Sequence, residues 1–276
     1  MGKEAGKQRQ RSAVKAYRNE TFLNSQGART LRILSEYLEP RARFERLKID
    51  DTIVFMGSAR LLSREQAEKE FEAMQQSGGD VHWARERLAM SQYYEAAREL
   101  ARRLTEWSQQ LHDEERRFVV CTGGGPGIME AANRGASEAQ GVNVGLTISI
   151  PIEEFDNPYV TPELSFHFHY FFMRKFWFSY LAKAMLVFPG GFGTLDELFQ
   201  LLTLLQTRKM RKHLPVVLFG SAYWGEVVNF DALIRHGMID PMDIQLFHVT
   251  DSVDDAFEYV TDHLRAYASA ERGAIL

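Results

Sequence analysis

The chain has 276 residues and a formal net charge of −4, from 33 Lys and Arg against 37 Asp and Glu. At ~150 residues per domain this length allows one large domain or two small ones, with enough chain to bury a core without staples. A single cysteine excludes a disulfide framework and suits a reducing, cytoplasmic setting, the overall acidity speaks against nucleic acid as a partner, and no apolar run reaches the ~18 residues of a membrane helix.

Charge is unevenly spread. Residues 1–20 hold six basic and two acidic side chains, a net of +4, so the remainder carries −8. The stretch 1–26 has few large apolar residues and no periodicity, and reads as a basic, disordered tail. It is either a solvated terminus or an arm that touches a partner. It has no apolar core, so it is not a secretory signal. Leu31, Ile33, Leu34, Tyr37 and Leu38 recur at helical spacing and predict one apolar stripe on a helix over 29–47. Residues 52–56 form a short apolar run, the pattern of a parallel strand buried on both faces. The polar stretch 64–90, broken at Ser77-Gly78-Gly79-Asp80, predicts two helical pieces around a turn, or a helix and a loop. Helical periodicity returns over 92–111.

Two strand–glycine loop–helix units follow. Residues 118–122 predict a strand, Gly123-Gly124-Gly125-Pro126-Gly127 a tight loop, 128–140 a helix and 142–146 a strand. The pattern repeats as a strand at 184–188, the loop Pro189-Gly190-Gly191-Phe192-Gly193-Thr194, and a helix from Leu195 to about Thr207. Residues 216–220 and 247–249 predict two more strands. Strands alternating with helices imply an α/β, Rossmann-like, doubly wound and mostly parallel sheet with helices on both faces. No break in composition marks a second domain, so 27–276 reads as one domain with an N-terminal helix and an insertion around 64–90.

At the carboxyl end of a parallel strand a glycine loop lets the backbone approach an anion, and the next helix offers free N–H groups and its positive dipole end. Open α/β sheets bind ligands at these ends. Thr194 sits where its hydroxyl can add a phosphate hydrogen bond. The dinucleotide fingerprint fails, because G-x-G-x-x-G from Gly123 needs glycine at Ile128, and no G-x-x-x-x-G-K-[ST] occurs.

The segments Gly123-Gly124-Gly125-Pro126-Gly127-Ile128-Met129-Glu130, Met173-Arg174-Lys175 and Pro189-Gly190-Gly191-Phe192-Gly193-Thr194-Leu195-Asp196-Glu197 resemble the signatures of the LOG family. Its members are cytokinin riboside 5′-monophosphate phosphoribohydrolases, long mislabelled as lysine decarboxylases. The resemblance runs from about Leu31 to Val260 and looks most like the longer bacterial members. Gly57-Ser58-Ala59-Arg60 looks like the family's first nucleotide-contacting loop. The resemblance implies hydrolysis of the N-glycosidic bond of AMP or an N6-substituted AMP, with Arg174 and Glu197 as the catalytic pair. Around the substrate and its phosphate it implies Ser58, Gly124, Gly125, Gly127, Met173, Lys175, Gly190, Gly191, Gly193 and Thr194. It implies a small-molecule nucleotide as ligand, no cofactor or metal, and a homo-oligomer of at least two chains. A nucleotide carrier on the same fold is the alternative.

Read locally, Glu197 is equally a first-turn acid that complements the helix dipole, and Arg174 a surface cation. The segment 166–172 is unusually aromatic and can supply core or a stacking face for a purine. His167 and His169 share one strand face but lack Cys, Asp or Glu at ligand spacing. Cys121 reads as a small buried hydrophobe. The basic run 208–213 either complements a helix C-terminus or meets an anion. A decarboxylase would need a Schiff-base lysine and pyridoxal phosphate, and no lysine here is marked for it.

Overall fold

The computed structural model describes residues 13–111, 116–149 and 157–268, so the first twelve residues of the expected tail lie outside the described residues. From Ala16 the chain forms short helical turns, including α1 (Glu20–Leu23). Arg32 fastens them by donating to the Leu23 and Ser25 carbonyls at 2.6 and 2.7 Å. The remaining helices are α2 (Arg29–Arg46), α3 (Arg64–Ser77), α4 (Val81–Gln109), α5 (Ile128–Glu138), α6 (Phe171–Tyr180), α7 (Phe192–Gln206), α8 (Ser221–Val227), α9 (Phe230–Arg235) and α10 (Val253–His263). Among the described residues no helix is long and apolar enough to cross a membrane.

Seven strands form one sheet: β1 (Thr52–Met56), β2 (Val119–Thr122), β3 (Asn143–Ile148), β4 (Ser165–Phe168), β5 (Ala182–Val187), β6 (Val216–Phe219) and β7 (His248–Thr250). Their order is β4-β3-β2-β1-β5-β6-β7, and every pairing is parallel. All five residues of β1 are buried, because the strand lies at the centre with helices on both faces. Alternation divides its side chains between two cores. Val54 and Met56 join Trp177, Leu198 and Trp224 on one face. Ile53 and Phe55 join Tyr94, Leu100, Ile128 and Val260 on the other.

The structure refines three of the expectations. The apolar stripe of α2 is split: Ile33 and Tyr37 pack with buried Phe44 against the first core, while Leu31, Leu34 and Leu38 are half exposed. The 64–90 stretch is a helical hairpin whose second arm runs on into the next helix, giving the 29-residue α4. Gly78, at φ +71°, ends α3 in the left-handed conformation, Asp80 caps the start of α4, and nothing after Val81 breaks the helix. The 166–172 segment splits between β4 and the start of α6. It is both core and surface: Phe166, Phe168 and Tyr170 are buried, while Phe171 and Phe172 are exposed.

Candidate active site

From β1 the chain winds outward through β2 and β3 to β4, then returns to the other side of β1 as β5. The crevice at the carboxyl ends of β1, β2 and β5 is therefore the topological switch point, where open α/β sheets bind ligands. All three glycine-bearing loops meet there. Ser58 after β1 donates its N–H to the Pro189 carbonyl after β5 at 2.9 Å, and its own carbonyl accepts from Ile128 N after β2 at 3.0 Å. Both backbone groups of Ser58 are thus spent on joining the loops, and its hydroxyl accepts from Arg60 N at 3.0 Å.

The glycines serve this close approach as well as any anion. Gly127 sits at φ +69°, and a Cβ on it would stand 2.2 Å from the Ser58 carbonyl oxygen. Gly124 is also left-handed, with its N–H held by Thr122 Oγ1 at 2.9 Å. A Cβ on Gly125 would meet the Met129 side chain. Beneath this loop runs a buried polar chain that no local sequence pattern marks. Thr122 donates to Asn133 Oδ1 at 2.6 Å, Asn133 donates to Asn143 at 2.8 Å, and Asn157 donates to Asn133 at 3.0 Å. Every member is buried and paired, the condition under which such a network rigidifies a loop.

The second loop differs from expectation in where its helix begins. α7 starts at Phe192, so Gly193 and Thr194 already lie in its first turn, and Glu197 lies in the second. This corrects the first-turn placement and removes dipole complementation as the reason for Glu197. Gly191 is the N-cap and has no side-chain cap, which leaves the N–H groups of the first turn without helical partners. No atom lies within 4 Å of a Cβ built on Gly191 or Gly193. The Thr194 side chain folds over Gly190, whose carbonyl accepts from Tyr223 at 2.6 Å. Phe192 is 93% exposed at the mouth.

Arg174 and Glu197 come together across this opening. Arg174 Nη2 donates to Glu197 Oε1 at 3.2 Å, with side chains only 13% and 16% exposed. The guanidinium lies against the first glycine loop, since a Cβ on Gly123 would meet Nη2 at 3.1 Å. It also covers the Phe178 ring at 5.1 Å. Its Nε is buried and has no hydrogen-bond partner among the described residues. Burial pushes the Glu197 carboxyl above the usual carboxylate range, against the pull of Arg174 and Lys175. Burial also lowers Arg174, with Glu197 opposing it. Arginine still keeps its proton across the accessible range, so the pair is a cation and a carboxylate held partly out of water.

The neighbouring motif residues are placed differently. Lys175 ion-pairs with Asp196 at 2.5 Å, and Met173 is buried in the first core. Glu36 on α2, which no local pattern marks, fixes the helix that carries Arg174. Its two carboxylate oxygens accept from His169 N at 2.8 Å and Tyr170 N at 3.2 Å, and its carbonyl accepts from Trp177 Nε1 at 2.9 Å. His167 is bracketed by Thr147 and Ser149 at 2.9 and 2.7 Å, and among the described residues no cluster of three or more metal-binding side chains forms. Cys121 is buried and its thiol is pushed up by desolvation.

Fold and site define a Rossmann-like α/β protein with a glycine-lined crevice beside a buried Arg–Glu pair. Residues 129–260, just under half of the chain, match the family model described as "Possible lysine decarboxylase", that of the LOG family. Among curated proteins it is similar to the pyrimidine/purine nucleotide 5′-monophosphate nucleosidase of Escherichia coli (strain K12), with 33% identity over 119 residues. That match covers 38% of this chain and 25% of the relative, so the chain spans about a quarter of the length of the curated relative. Among solved structures it is similar to TM1055, a structural genomics target (19% identity, TM-score 0.47), over 77% of this chain and 99% of that one. It is also similar to the Moco carrier protein of Chlamydomonas reinhardtii (18% identity, TM-score 0.42), over 79% of this chain and 99% of that one.

Proposed function

We propose that this chain hydrolyses the N-glycosidic bond of a nucleoside 5′-monophosphate, AMP or an N6-substituted AMP, giving the free base and ribose 5-phosphate. The observation that carries this reading is the buried Arg174–Glu197 pair beside the uncapped start of α7. The nucleosidase activity named for the Escherichia coli relative agrees with it.

In the reaction the bond from C1′ to the base nitrogen breaks and its electron pair leaves with the base. Positive charge develops on C1′ and the ring oxygen, water adds to C1′ and gives up a proton, and the base takes one up. A phosphate on the α7 N–H groups and the Gly190-Gly191 loop anchors the nucleotide. The Glu197 carboxylate then faces the charge that develops on the sugar and orients the water or the ribose hydroxyls, an interaction strongest in the transition state. Arg174 holds Glu197 in place through Nη2. A lysine-dependent decarboxylation fits less well, because Lys175 is engaged with Asp196 and not offered as a free amine.

The test is chromatographic separation of products from AMP, N6-isopentenyl-AMP, GMP and CMP. Release of base and ribose 5-phosphate is expected from at least one purine monophosphate. Arg174→Ala should lower kcat/KM about 10²-fold or more, as for loss of a preorganised donor. Tight AMP binding with no release from any substrate would leave a nucleotide carrier instead.

We further propose a homodimer. Leu31, Leu34 and Leu38 on α2 and Phe171 and Phe172 on α6 are exposed, and the two helices are joined through Glu36. Exposed apolar side chains grouped on helices in this way mark an interaction surface. Light scattering should give twice the chain mass, and Leu34→Glu should shift it toward one chain. A monomeric wild type would refute the dimer.

A further inference from the structure

The basic run 208–213 takes no part in the nucleotide site. It lies at the opposite, amino-terminal edge of the sheet, between the end of α7 and the start of β6. A cavity of about 650 Å³ opens there. Arg208, Arg211, Lys212, His213 and His263 line it, and among the described residues no carboxylate does. In a chain whose body is acidic, this is a local reversal of sign, the arrangement that draws in anions.

The simpler role for these cations, complementing the C-terminus of α7, is already filled by backbone. The Thr203, Leu204 and Leu205 carbonyls accept from the N–H groups of Thr207, Met210 and Arg208. Arg208 reaches this position at φ +55°. Among the described residues, neither the Arg208 nor the Arg211 side chain makes a hydrogen bond or ion pair. The walls, in contrast, are fixed. His213 stacks on Tyr267 with ring centroids 4.5 Å apart, and His263 Nδ1 lies 2.8 Å from the Tyr259 carbonyl.

We propose that this cavity is a second anion site, for a small ligand bearing a phosphate chain, and that Lys212 connects it to the helix that carries Arg174. Lys212 Nζ donates to the Ser179 carbonyl at 2.5 Å and the Tyr180 carbonyl at 3.4 Å, the last turn of α6. Burial, with Lys183 adding to it and Asp51 opposing, brings the Lys212 ammonium down to about 7. An anion in the cavity holds the proton on Nζ and thereby the two bonds to α6. Forked guanidinium contacts from two arginines suit phosphate oxygens in particular.

Calorimetric titration of the full chain, its nucleotide site first saturated with ribose 5-phosphate, with inorganic tripolyphosphate, ATP and inorganic phosphate tests this. Tripolyphosphate is expected to bind once per chain and at least about tenfold tighter than phosphate, the gain from engaging a second charged group. ATP binding tighter than tripolyphosphate assigns a nucleoside polyphosphate as ligand, and weaker ATP binding assigns an inorganic chain. The double variant Arg208→Ala/Arg211→Ala, both surface positions, should weaken tripolyphosphate by more than about tenfold, whereas Arg174→Ala should leave it unchanged. The reverse ranking, or equal affinity in the double variant, places any binding elsewhere and overturns the site. Amide exchange in α6 should slow with tripolyphosphate in the wild type and not in Lys212→Met. Equal slowing in both overturns the link through Lys212. None of these readouts depends on nucleotide hydrolysis.

Discussion

Glu197→Gln is expected to lower kcat for AMP cleavage by about 10²- to 10⁴-fold, the range seen for loss of a positioned proton-transfer or electrostatic group. Glutamine keeps the shape, and its carbonyl oxygen can still accept from Arg174, so the folded state survives and the change reports on chemistry. What disappears is the negative charge facing the sugar. The pH profile gives a second reading of the same group. In the proposed reaction the carboxylate is the working form, and burial raises its folded pKa. Wild-type kcat/KM should therefore fall as the pH drops through that raised value, at a higher pH than for an ordinary glutamate. The acid limb due to this group should be missing from the residual activity of Glu197→Gln. An unchanged rate and profile would remove Glu197 from the mechanism.

Gly127→Ala is expected to destabilise the protein by about 3 kcal/mol or more, a sum of backbone strain and overpacking. At φ +69° and ψ −129° the residue lies where side chains are not accommodated. The added methyl would stand 2.2 Å from the Ser58 oxygen and within 3 Å of Ala59 backbone atoms. These neighbours are main chain, so relief requires the loops after β1 and β2 to part. That movement would break the Ile128–Ser58 hydrogen bond and disturb the crevice. Urea unfolding measures the loss, and wild-type stability in the variant would refute the account. Gly193→Ala is the internal contrast. Space is open there, so the fold should keep its stability while substrate affinity weakens.

The legible parts of this molecule were those whose signal is local. A short, nearly continuous apolar run bounded by polar residues fits a strand with both faces covered, and β1 is one. Glycine loops between an apolar run and a helix stand out in any reading, and all three converge at the switch point. Other features depend on distant residues. Glu36 looks like any polar position on an amphipathic helix, and only the arrival of His169 and Tyr170 from 133 and 134 residues away gives it a task. β4 has four residues with alternating burial and merges in sequence with the aromatic start of α6, so periodicity could not divide them. α7 starts early because Phe192 and Gly193 contribute helical backbone without helix-favouring side chains. The stripe on α2 held two apolar faces, since spacings of three and four do not say which half meets the sheet.

The position of Glu36 also decides where this protein can be cut. A chain that began at β1 would keep every central strand and glycine loop and would look complete in outline. It would still lack the carboxylate that receives the His169 and Tyr170 N–H groups, the carbonyl that holds the Trp177 indole, and the Arg43 guanidinium that donates to Ser165 O at the outer strand. α2 is therefore a built-in strap across the outer strand and the helix bearing Arg174, and the working minimum of this molecule begins ahead of Arg29.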